Sequence, residues 1–275
     1  MRADEFTLQA IAARQWRDYR ARTPGTYFAE RGAARLHLVQ AYAIQRAVAE
    51  MRLDAGETHA GYKIGCTGPG TTAQFGMEGP IRGYLFGSEV RRSGVTLDPD
   101  AFASLAIEAE MAVSIGSDGD IAGAFPIIEL HNFVFRAPRK TLVELVANNG
   151  LNAGIVIPAG DPDMPAAAFG AGARLGVRIN RRMVDEAGLW PLPGGAEASL
   201  DWLRRDLARE GLSLKPGQIV ITGTPLGLYP VHPGDAIETC IDGVPRVSCS
   251  VSGSTLRRME TDRPASADPA ASHSR

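Results

Sequence analysis

Residues 106–115 read AIEAEMAVSI, and this stretch carries the most information about the fold. Side chains on a strand alternate between two faces, so Glu108 and Glu110 project to one side, about 7 Å apart, while apolar residues point to the other. The alternation predicts a half-buried strand. Two like charges held side by side repel each other, and a bound dication relieves that repulsion. The pair indicates a metal site, although a surface strand with its polar residues outward gives the same pattern.

A third acid follows in residues 126–130, which read PIIEL. Glu129 stands among apolar residues, where an unpaired carboxylate is costly to bury. Hard cations such as Mg²⁺ are held by a few carboxylates together with water and substrate oxygens. Glu129 could complete such a shell with the two earlier acids. An ion pair with a lysine or arginine is the alternative explanation.

Two further motifs lie on either side of these acids. Residues 61–66 read GYKIGC and place Lys63 in a short predicted strand rather than on a helix surface, where lysines are common. Such a lysine could bind a substrate carboxylate or move protons, whereas an edge-strand lysine that guards against aggregation is the alternative. Thr222, Gly223 and Thr224 follow another predicted strand, and their hydroxyls and backbone amides could hold anionic oxygens. A plain turn would show the same residues.

These motifs occur in one order over roughly residues 60–240: GYKIG, IEAEMAV, PIIEL, then ITGTP-x-G followed by HPGD. Together they resemble the fumarylacetoacetate hydrolase superfamily, and especially its branch of 2-oxopent-4-enoate hydratases and 4-oxalocrotonate decarboxylases. The resemblance implies an α+β fold, namely a mixed, strongly curved β-roll with flanking helices, in a homo-oligomer. It implies that Mg²⁺ or Mn²⁺ is bound by three acids: Glu108, Glu110 and Glu129. It also implies an active-site lysine and a substrate-binding turn: Lys63, and Thr222, Gly223 and Thr224.

The chain departs from that branch around the implied pocket. The stretch between the second and third acids is shorter than in the branch. An acid-containing turn after the third acid is replaced by Leu-His-Asn, and an ADNASS-like segment reads ANNGLN at residues 147–152. We therefore expect His131, Asn149 and Asn152 to line the space beside the metal, with Asn149 and Asn152 binding the substrate. His131 would then be a catalytic acid or base, and a structural histidine is the alternative.

The remaining sequence suggests three regions. Apolar spacing predicts helices at 7–20 and 34–53, which form an N-terminal helical cap over residues 1–58. Residues 59–256 alternate short apolar runs with glycine and proline, which predicts a β-rich catalytic domain with helices at 140–149 and 196–210. Residues 257–275 lack an apolar pattern and are expected to form a disordered tail. Strands are predicted at 61–66, 84–86, 106–115, 154–157, 175–180, 219–222, 236–240 and 246–251.

Composition narrows the classes of function. The chain has 44% apolar and 22% charged residues, which is ordinary for a soluble globular protein. Its net charge of −2 argues against a nucleic-acid partner, and no apolar run approaches the roughly 20 residues of a membrane helix. The N-terminus lacks the apolar region of a secretory signal, and three scattered cysteines do not fit a disulfide framework. We expect a cytoplasmic protein with no nucleic-acid or membrane partner.

The function expected from the resemblance is that of a metal-dependent hydratase, a lyase that adds water to a small 2-hydroxy-2,4-dienoate or 2-oxo-enoate. Such enzymes act in the catabolism of aromatic or related compounds. Decarboxylation of a 2-oxo-enedioate would use the same metal but no water. Hydrolysis of an acylpyruvate or β-diketone would require a further metal-binding aspartate and a His–Glu pair, neither of which is evident in the sequence. A non-catalytic, metal-binding subunit that associates with an active relative is the remaining hypothesis.

Overall fold

The structure is a computed structural model that describes residues 2–30, 36–68, 71, 74–75, 80–160, 169–170 and 172–253. The expected tail at 257–275 lies outside the described residues. The α-helices are α1 (Arg2–Arg20), α2 (Leu38–Asp54), α3 (Leu142–Ala147) and α4 (Gly195–Ala208). The strands are β1 (His59–Gly65), β2 (Ile81–Phe86), β3 (Val90–Arg92), β4 (Val95–Leu97), β5 (Leu105–Ile115), β6 (Ile121–Asn132), β7 (Asn152–Ile157), β8 (Arg174–Ile179), β9 (Arg182–Gly188), β10 (Ile219–Ile221), β11 (Tyr229–Pro230), β12 (Ala236–Ile241) and β13 (Val244–Val251).

The strands form two sheets. In the larger sheet the order is β2-β1-β10-β5-β6-β7-β3, with β11 also paired to β5, and in the smaller sheet it is β4-β13-β12-β8-β9. The larger sheet is mixed, because the β1–β10 and β3–β7 pairs are parallel, and it curls into a half-barrel. Ile107 and Ile128 of the larger sheet share one apolar core with Val177 and Val247 of the smaller sheet. The expected fold, a mixed and strongly curved β-roll with flanking helices, is confirmed.

The two N-terminal helices pack onto the same protein interior as the sheet. Ile11 of α1 and Ile44 of α2 share an apolar cluster with Ile81 of β2 and Leu145 of α3. The helix α2 begins after His37, whose backbone N–H donates to the side-chain oxygen of Gln40 at 2.9 Å and so caps the first turn. No described helix is both long enough and apolar enough to cross a membrane. A boundary near residue 58 between a cap and a catalytic domain stays a prediction.

The strand β6 was not among the predicted strands, although it carries Glu129 and His131. It pairs along its length with β5, and Met111 of β5 lies opposite Pro126 in the middle of β6. A proline within a segment usually argues against a central strand, because its nitrogen has no hydrogen to donate to the neighbouring strand. The pairing with β7 begins only at Ile128, so Pro126 lies where β6 has a paired neighbour on one side.

Arg82 of β2 is a buried cation that ties three elements together. Its guanidinium donates to Asp206 of α4 and, at 2.6 Å, to Glu210 just beyond that helix. It also lies over the ring of Tyr42 on α2, 4.6 Å from the ring centroid. A buried charge is tolerated when it is paired and hydrogen-bonded. The cluster therefore fixes α2 and α4 against the edge of the larger sheet.

Strand register brings the candidate site residues onto one face of the larger sheet. Lys63 pairs with Ile221, Ile221 pairs with Ala112, and Ala112 pairs with Phe125, so these four share a face across β1, β10, β5 and β6. Residues an even number of positions apart along a strand also share a face. The face therefore carries the following side chains: Lys63, Glu108, Glu110, Glu129 and His131.

Candidate metal centre

Glu108 and Glu129 stand directly opposite each other on strands β5 and β6. His131 follows on the same face, and its Nε2 lies 3.1 Å from Oε2 of Glu108 and 3.4 Å from Oε2 of Glu129. One ligand atom from each of the three residues lies within 4.8 Å of the others, which is a grouping able to hold a metal ion. Like charges directly opposite each other destabilise a sheet. A cation between them would remove that repulsion.

Several atoms of this cluster are buried without a hydrogen bond. Oε2 of Glu129 and both ring nitrogens of His131 have no hydrogen-bond partner of good geometry among the described residues, although Nε2 of His131 lies close to Oε2 of both carboxylates. Leaving such atoms unpaired costs free energy. Carboxylate oxygens suit Mg²⁺ and Mn²⁺, and an imidazole nitrogen favours first-row transition ions. The donor set therefore fits a divalent cation.

Lys63 is the positive charge that the structure places beside these acids. It is 2% exposed, and its Nζ lies 2.7 Å from Oε1 of Glu129 and 3.3 Å from the carbonyl oxygen of Gly150, to which it donates. Burial alone lowers the pKa of Lys63, but the charges of Glu129, Glu108 and Glu110 outweigh it and raise that pKa to about 12. Lys63 is therefore a cation at neutral pH, able to bind an anion.

The pKa values of Glu129 and His131 are shifted by burial and by the same charged neighbours. Burial raises the pKa of Glu129, but the charges of Lys63 and His131 outweigh it and lower that pKa below its usual range. Burial lowers the pKa of His131 and the charge of Lys63 opposes protonation too, but Glu129 and Glu108 raise it overall. Glu129 is thus held as a carboxylate, as a metal ligand has to be.

Glu110 lies beside the cluster but outside its grouping of ligand atoms. Its buried carboxylate accepts a hydrogen bond from the backbone N–H of Gly223 at 3.0 Å, and it is not a member of the grouping within 4.8 Å. Burial, followed by the charges of Glu129 and Glu108, raises the pKa of Glu110 well above its usual value. The implied role of Glu110 as the third carboxylate ligand stays a prediction, and His131 occupies the corresponding place in the described cluster.

A turn with left-handed backbone angles contacts the side chain of Lys63. Asn149, Gly150 and Leu151 have φ angles of +58°, +62° and +62°, a conformation that is costly for residues other than glycine. The turn presents the carbonyl oxygen of Gly150 to Lys63. A Cβ added at Gly150 would meet Cδ and Cε of Lys63 at 3.4 Å, so the backbone lies directly against the lysine side chain. This strained segment was not predicted from the sequence.

The two asparagines of this segment have different surroundings. Asn152 donates from Nδ2 to Oε1 of Glu129 at 2.7 Å, and its Oδ1 accepts from the backbone N–H of Gly154. Asn149 instead bonds the backbone of Tyr84 on β2, both as acceptor at 2.6 Å and as donor at 2.8 Å. Asn152 therefore orients a candidate metal ligand, while the structure places the polar atoms of Asn149 on the sheet edge rather than beside the acids.

The turn at 222–224 is tied to the backbone of β5. The hydroxyl of Thr222 donates to the carbonyl oxygen of Met111 at 2.8 Å, and the hydroxyl of Thr224 donates to that of Ala109 at 2.7 Å. Gly223 has φ of +89°, and a Cβ there would lie 2.5 Å from Cγ2 of Thr67. These contacts hold the N–H of Gly223 against Glu110, and both threonine hydroxyls donate their protons to the backbone of β5. A substrate-binding role for the turn stays a prediction.

A cavity of about 220 Å³ opens beside the cluster. This is smaller than the roughly 300–1,000 Å³ pockets that take drug-sized ligands, and it suits a small acid. Polar groups of the candidate site line one part of it, and the rest of the wall is largely apolar. The lining residues include Lys63, Glu108, His131, Phe133, Phe135 and Lys140. The last three were not predicted, although His131, Phe133 and Phe135 follow one another at every second position of the sequence.

Replacing Asn152 with Ala is expected to weaken Mg²⁺ binding about tenfold or more, since loss of a group that orients a metal ligand typically costs 10–100-fold in affinity. The matched control is Asn149→Ala, which removes the same amide from the Tyr84 backbone. It is expected to lower the free energy of unfolding by about 1–3 kcal/mol and to leave metal affinity unchanged. Calorimetric titration and urea unfolding measure the two effects, and the reverse pattern would contradict these assignments.

Comparison with known proteins first gives relatives in sequence. No family model matches the chain. A protein named TodF product hydratase, from Pseudomonas putida, is 29% identical over 236 residues, which cover 78% of this chain and 84% of the relative. A 2-keto-4-pentenoate hydratase from Dechloromonas aromatica is 28% identical over 224 residues, covering 76% of this chain and 83% of the relative.

Solved structures with the same fold were also found. A 4-oxalocrotonate decarboxylase from Pseudomonas putida G7, in complex with magnesium and adipate, has a TM-score of 0.79 at 21% identity, covering 91% of this chain and 98% of that chain. A fumarylpyruvate hydrolase from Pseudomonas aeruginosa, in complex with Mn²⁺ and pyruvate, has a TM-score of 0.55 at 19% identity, covering 72% and 91%. Other neighbours include fumarylacetoacetate hydrolase family proteins. The chain therefore has this family's fold, and in sequence it resembles the hydratase and decarboxylase branch.

Proposed function

We propose that this protein is a divalent-metal-dependent hydratase that adds water to a small 2-hydroxy-2,4-dienoate, or to the corresponding 2-oxo-enoate. The observation that carries the proposal is the grouping of two opposed carboxylates, a buried lysine and a histidine beside one small cavity, which Lys63, Glu108 and His131 line. The names of the relatives by sequence support a hydratase. Their substrates point to the catabolism of aromatic or related compounds as its setting.

Glu108 and Glu129 would hold the cation, with His131 or Glu110 as a third ligand. Mg²⁺ and Mn²⁺ are the proposed ions, since carboxylates suit both and the fold neighbours were solved with Mg²⁺ and with Mn²⁺. When bound, such an ion supplies Lewis-acid chemistry that stabilises negative charge on an oxo or carboxylate oxygen. The ion would also lessen the repulsion between the two acids.

The side chains of the protein then bind the acid and manage its protons. Lys63 keeps its charge at neutral pH and can attract the substrate carboxylate, or donate a proton to the dienol carbon as the dienol ketonises. If Glu110 is the third metal ligand, His131, with Nε2 close to both carboxylates, is the candidate to accept or return a proton when water adds to the alkene. The apolar wall of the cavity limits the access of bulk water.

Decarboxylation of a 2-oxo-enedioate is the second candidate function. It is favoured by the extent of the fold match, which includes 98% of a 4-oxalocrotonate decarboxylase chain. The same cation and lysine would stabilise the enolate that forms when carbon dioxide leaves. The two reactions differ in their products, because only decarboxylation releases carbon dioxide. A homo-oligomeric assembly and a cytoplasmic location remain predictions.

The test incubates the purified protein and Mg²⁺ with 2-hydroxypenta-2,4-dienoate and, separately, with 4-oxalocrotonate, while ultraviolet absorbance and carbon dioxide release are followed. Loss of dienoate absorbance without carbon dioxide supports the hydratase, and carbon dioxide release from the second acid supports the decarboxylase. Lys63→Met is expected to lower turnover at least 100-fold, because the replacement removes the cation from the cavity. Lys215→Met, at an exposed lysine outside the cavity, is the control. A chain that turns over neither acid would refute the proposal.

A further inference from the structure

We propose that the cavity has a second anion-binding subsite at Lys140, so that the preferred substrate carries a second carboxylate at the end remote from its 2-oxo or 2-hydroxy group. This inference rests on the proposed function, because it concerns the substrate class of the same site. It is carried by the position of one cation on the cavity wall, by the aromatic rings beside it and by the charges of the candidate metal centre in the same cavity.

Lys140 lines the same cavity as the candidate metal centre. Its Nζ lies 4.7 Å from the ring centroid of Phe133 and 5.3 Å from that of Phe135. An ammonium over aromatic faces is attracted by the negative potential of the rings, which limits the positions that a long lysine side chain adopts. The two rings pack edge to face with centroids 6.0 Å apart, so they form one support.

The charge of Lys140 has no carboxylate partner within 4 Å in the part of the chain that the structure describes, whereas Lys63 is paired with Glu129 at 2.7 Å. The two lysines are therefore not equivalent. The charge of Lys63 is already balanced by the acids beside it. Lys140 is an exposed residue on the cavity wall, no carboxylate of the described residues pairs with it, and an anionic group of a ligand can do so.

One short segment connects the candidate metal centre to the two phenylalanines that contact Lys140. Glu129 and His131 lie on β6, and Phe133 and Phe135 follow immediately after that strand ends. The backbone from His131 to Phe135 spans at most about 14 Å when fully extended. Apolar side chains of Leu145 and Leu151 line the cavity too, and they suit the hydrocarbon chain of a ligand. A short-chain diacid matches this pattern of charge, apolar wall and charge.

The alternative is a monoacid such as 2-hydroxypenta-2,4-dienoate, whose remote end is an alkene carbon. That end would lie in the apolar part of the cavity and leave the ammonium charge of Lys140 unused. A charge-assisted hydrogen bond to a carboxylate is worth a factor of about ten or more in affinity. The structure therefore favours the diacid over the monoacid.

The experiment compares kcat/KM for 2-hydroxypenta-2,4-dienoate and for 2-hydroxyhepta-2,4-diene-1,7-dioate with Mg²⁺ present. The diacid is expected to be preferred about tenfold or more, and Lys140→Met is expected to abolish that preference through a higher KM for the diacid. Lys140→Arg should retain most of it, because the charge remains. Arg139→Met removes a neighbouring exposed charge outside the cavity and should leave the ratio unchanged. Equal use of both acids by the unaltered protein, or an unchanged ratio in Lys140→Met, would overturn the subsite.

Binding of saturated acids separates failure of the subsite from failure of the proposed function. Adipate and hexanoate have the same chain length and differ in one carboxylate, and neither can be hydrated. Calorimetry with Mg²⁺ present is expected to show adipate binding about tenfold more tightly, with the difference lost in Lys140→Met. If neither dienoate is turned over, the proposed function fails, and this comparison still decides the subsite. Equal affinities for the two acids would refute it whatever the turnover.

Discussion

Replacing Glu108 with Gln is expected to weaken binding of Mg²⁺ by more than 100-fold without unfolding the protein. The variant keeps the size and shape of the side chain but removes one of the two carboxylates that face each other across β5 and β6. Loss of an outer group that only orients a ligand costs about 10–100-fold in metal affinity, so loss of a ligand itself should cost more. Calorimetric titration with Mg²⁺ measures this effect.

The sign of the stability change separates a metal ligand from a structural acid. At a free Mg²⁺ concentration of about 100 times Kd, metal binding stabilises the folded protein by about 2.7 kcal/mol, and Glu108→Gln should lose that increment. In EDTA the variant should be no less stable than the unaltered protein, because one of two opposed charges has gone. Glu197→Gln, at an exposed acid outside the cluster, should change neither quantity. A large loss of stability in EDTA would make Glu108 a structural residue.

Replacing Arg82 with Met is expected to lower the free energy of unfolding by about 3–5 kcal/mol, as removal of one partner from a buried ion pair does. The Arg82 side chain is 1% exposed and bonds both Asp206 and Glu210. The remaining ion pairs of these two acids, with the more exposed Arg209 and Arg46, are longer. Urea unfolding in EDTA measures the loss, so that metal binding does not contribute.

Two further variants control this result. Arg204 forms ion pairs with Asp120 and Asp201 at the protein surface, and Arg204→Met should cost less than about 1 kcal/mol. The double variant with Arg82→Met and Asp206→Leu should recover part of the loss, since it removes an unpaired charge along with its partner. Equal losses in the free energy of unfolding for Arg82→Met and Arg204→Met would contradict the view that burial makes the ion pairs of Arg82 more stabilising.

Local patterns in the sequence predicted the strands that alternate clearly. The ExE pair of β5 was placed on a strand with both acids on one face, and the structure agrees because a strand has a fixed two-residue period. The strand β6 was missed because its residues are apolar on both faces and contain Pro126. The strand β9, which alternates between exposed and half-buried residues, was also missed. Pairing partners decide such segments, and these are not visible in a local pattern.

The candidate site shows the same division. Glu108, Glu129 and Lys63 could be selected from the sequence because acids or a lysine within apolar runs are costly unless they have a partner. Their mutual distances could not be predicted, because they depend on the register of β1, β10, β5 and β6. The sequence also gave no reason to separate Asn149 from Asn152. Only the left-handed turn at 149–151 directs one amide to the sheet edge and the other to Glu129.

The two candidates for the third metal ligand, His131 and Glu110, differ in their surroundings. His131 stands within the described cluster, whereas Glu110 is hydrogen-bonded to the N–H of Gly223 and would have to reach the ion from there. A shell with His131 would favour a transition ion such as Mn²⁺, and a shell of three carboxylates would suit Mg²⁺ equally well. Metal preference in the turnover assay therefore bears on which residue serves as ligand.

The central claim, that Glu108 and Glu129 hold a divalent cation, is tested most directly by anomalous scattering from crystals grown with Mn²⁺. The predicted result is a strong anomalous peak at the wall of the cavity, with oxygens of both carboxylates at about 2.1 Å and either His131 or Glu110 completing the protein shell. A peak with either carboxylate more than about 4 Å away, or no peak beside β5 and β6 at saturating Mn²⁺, would contradict the claim.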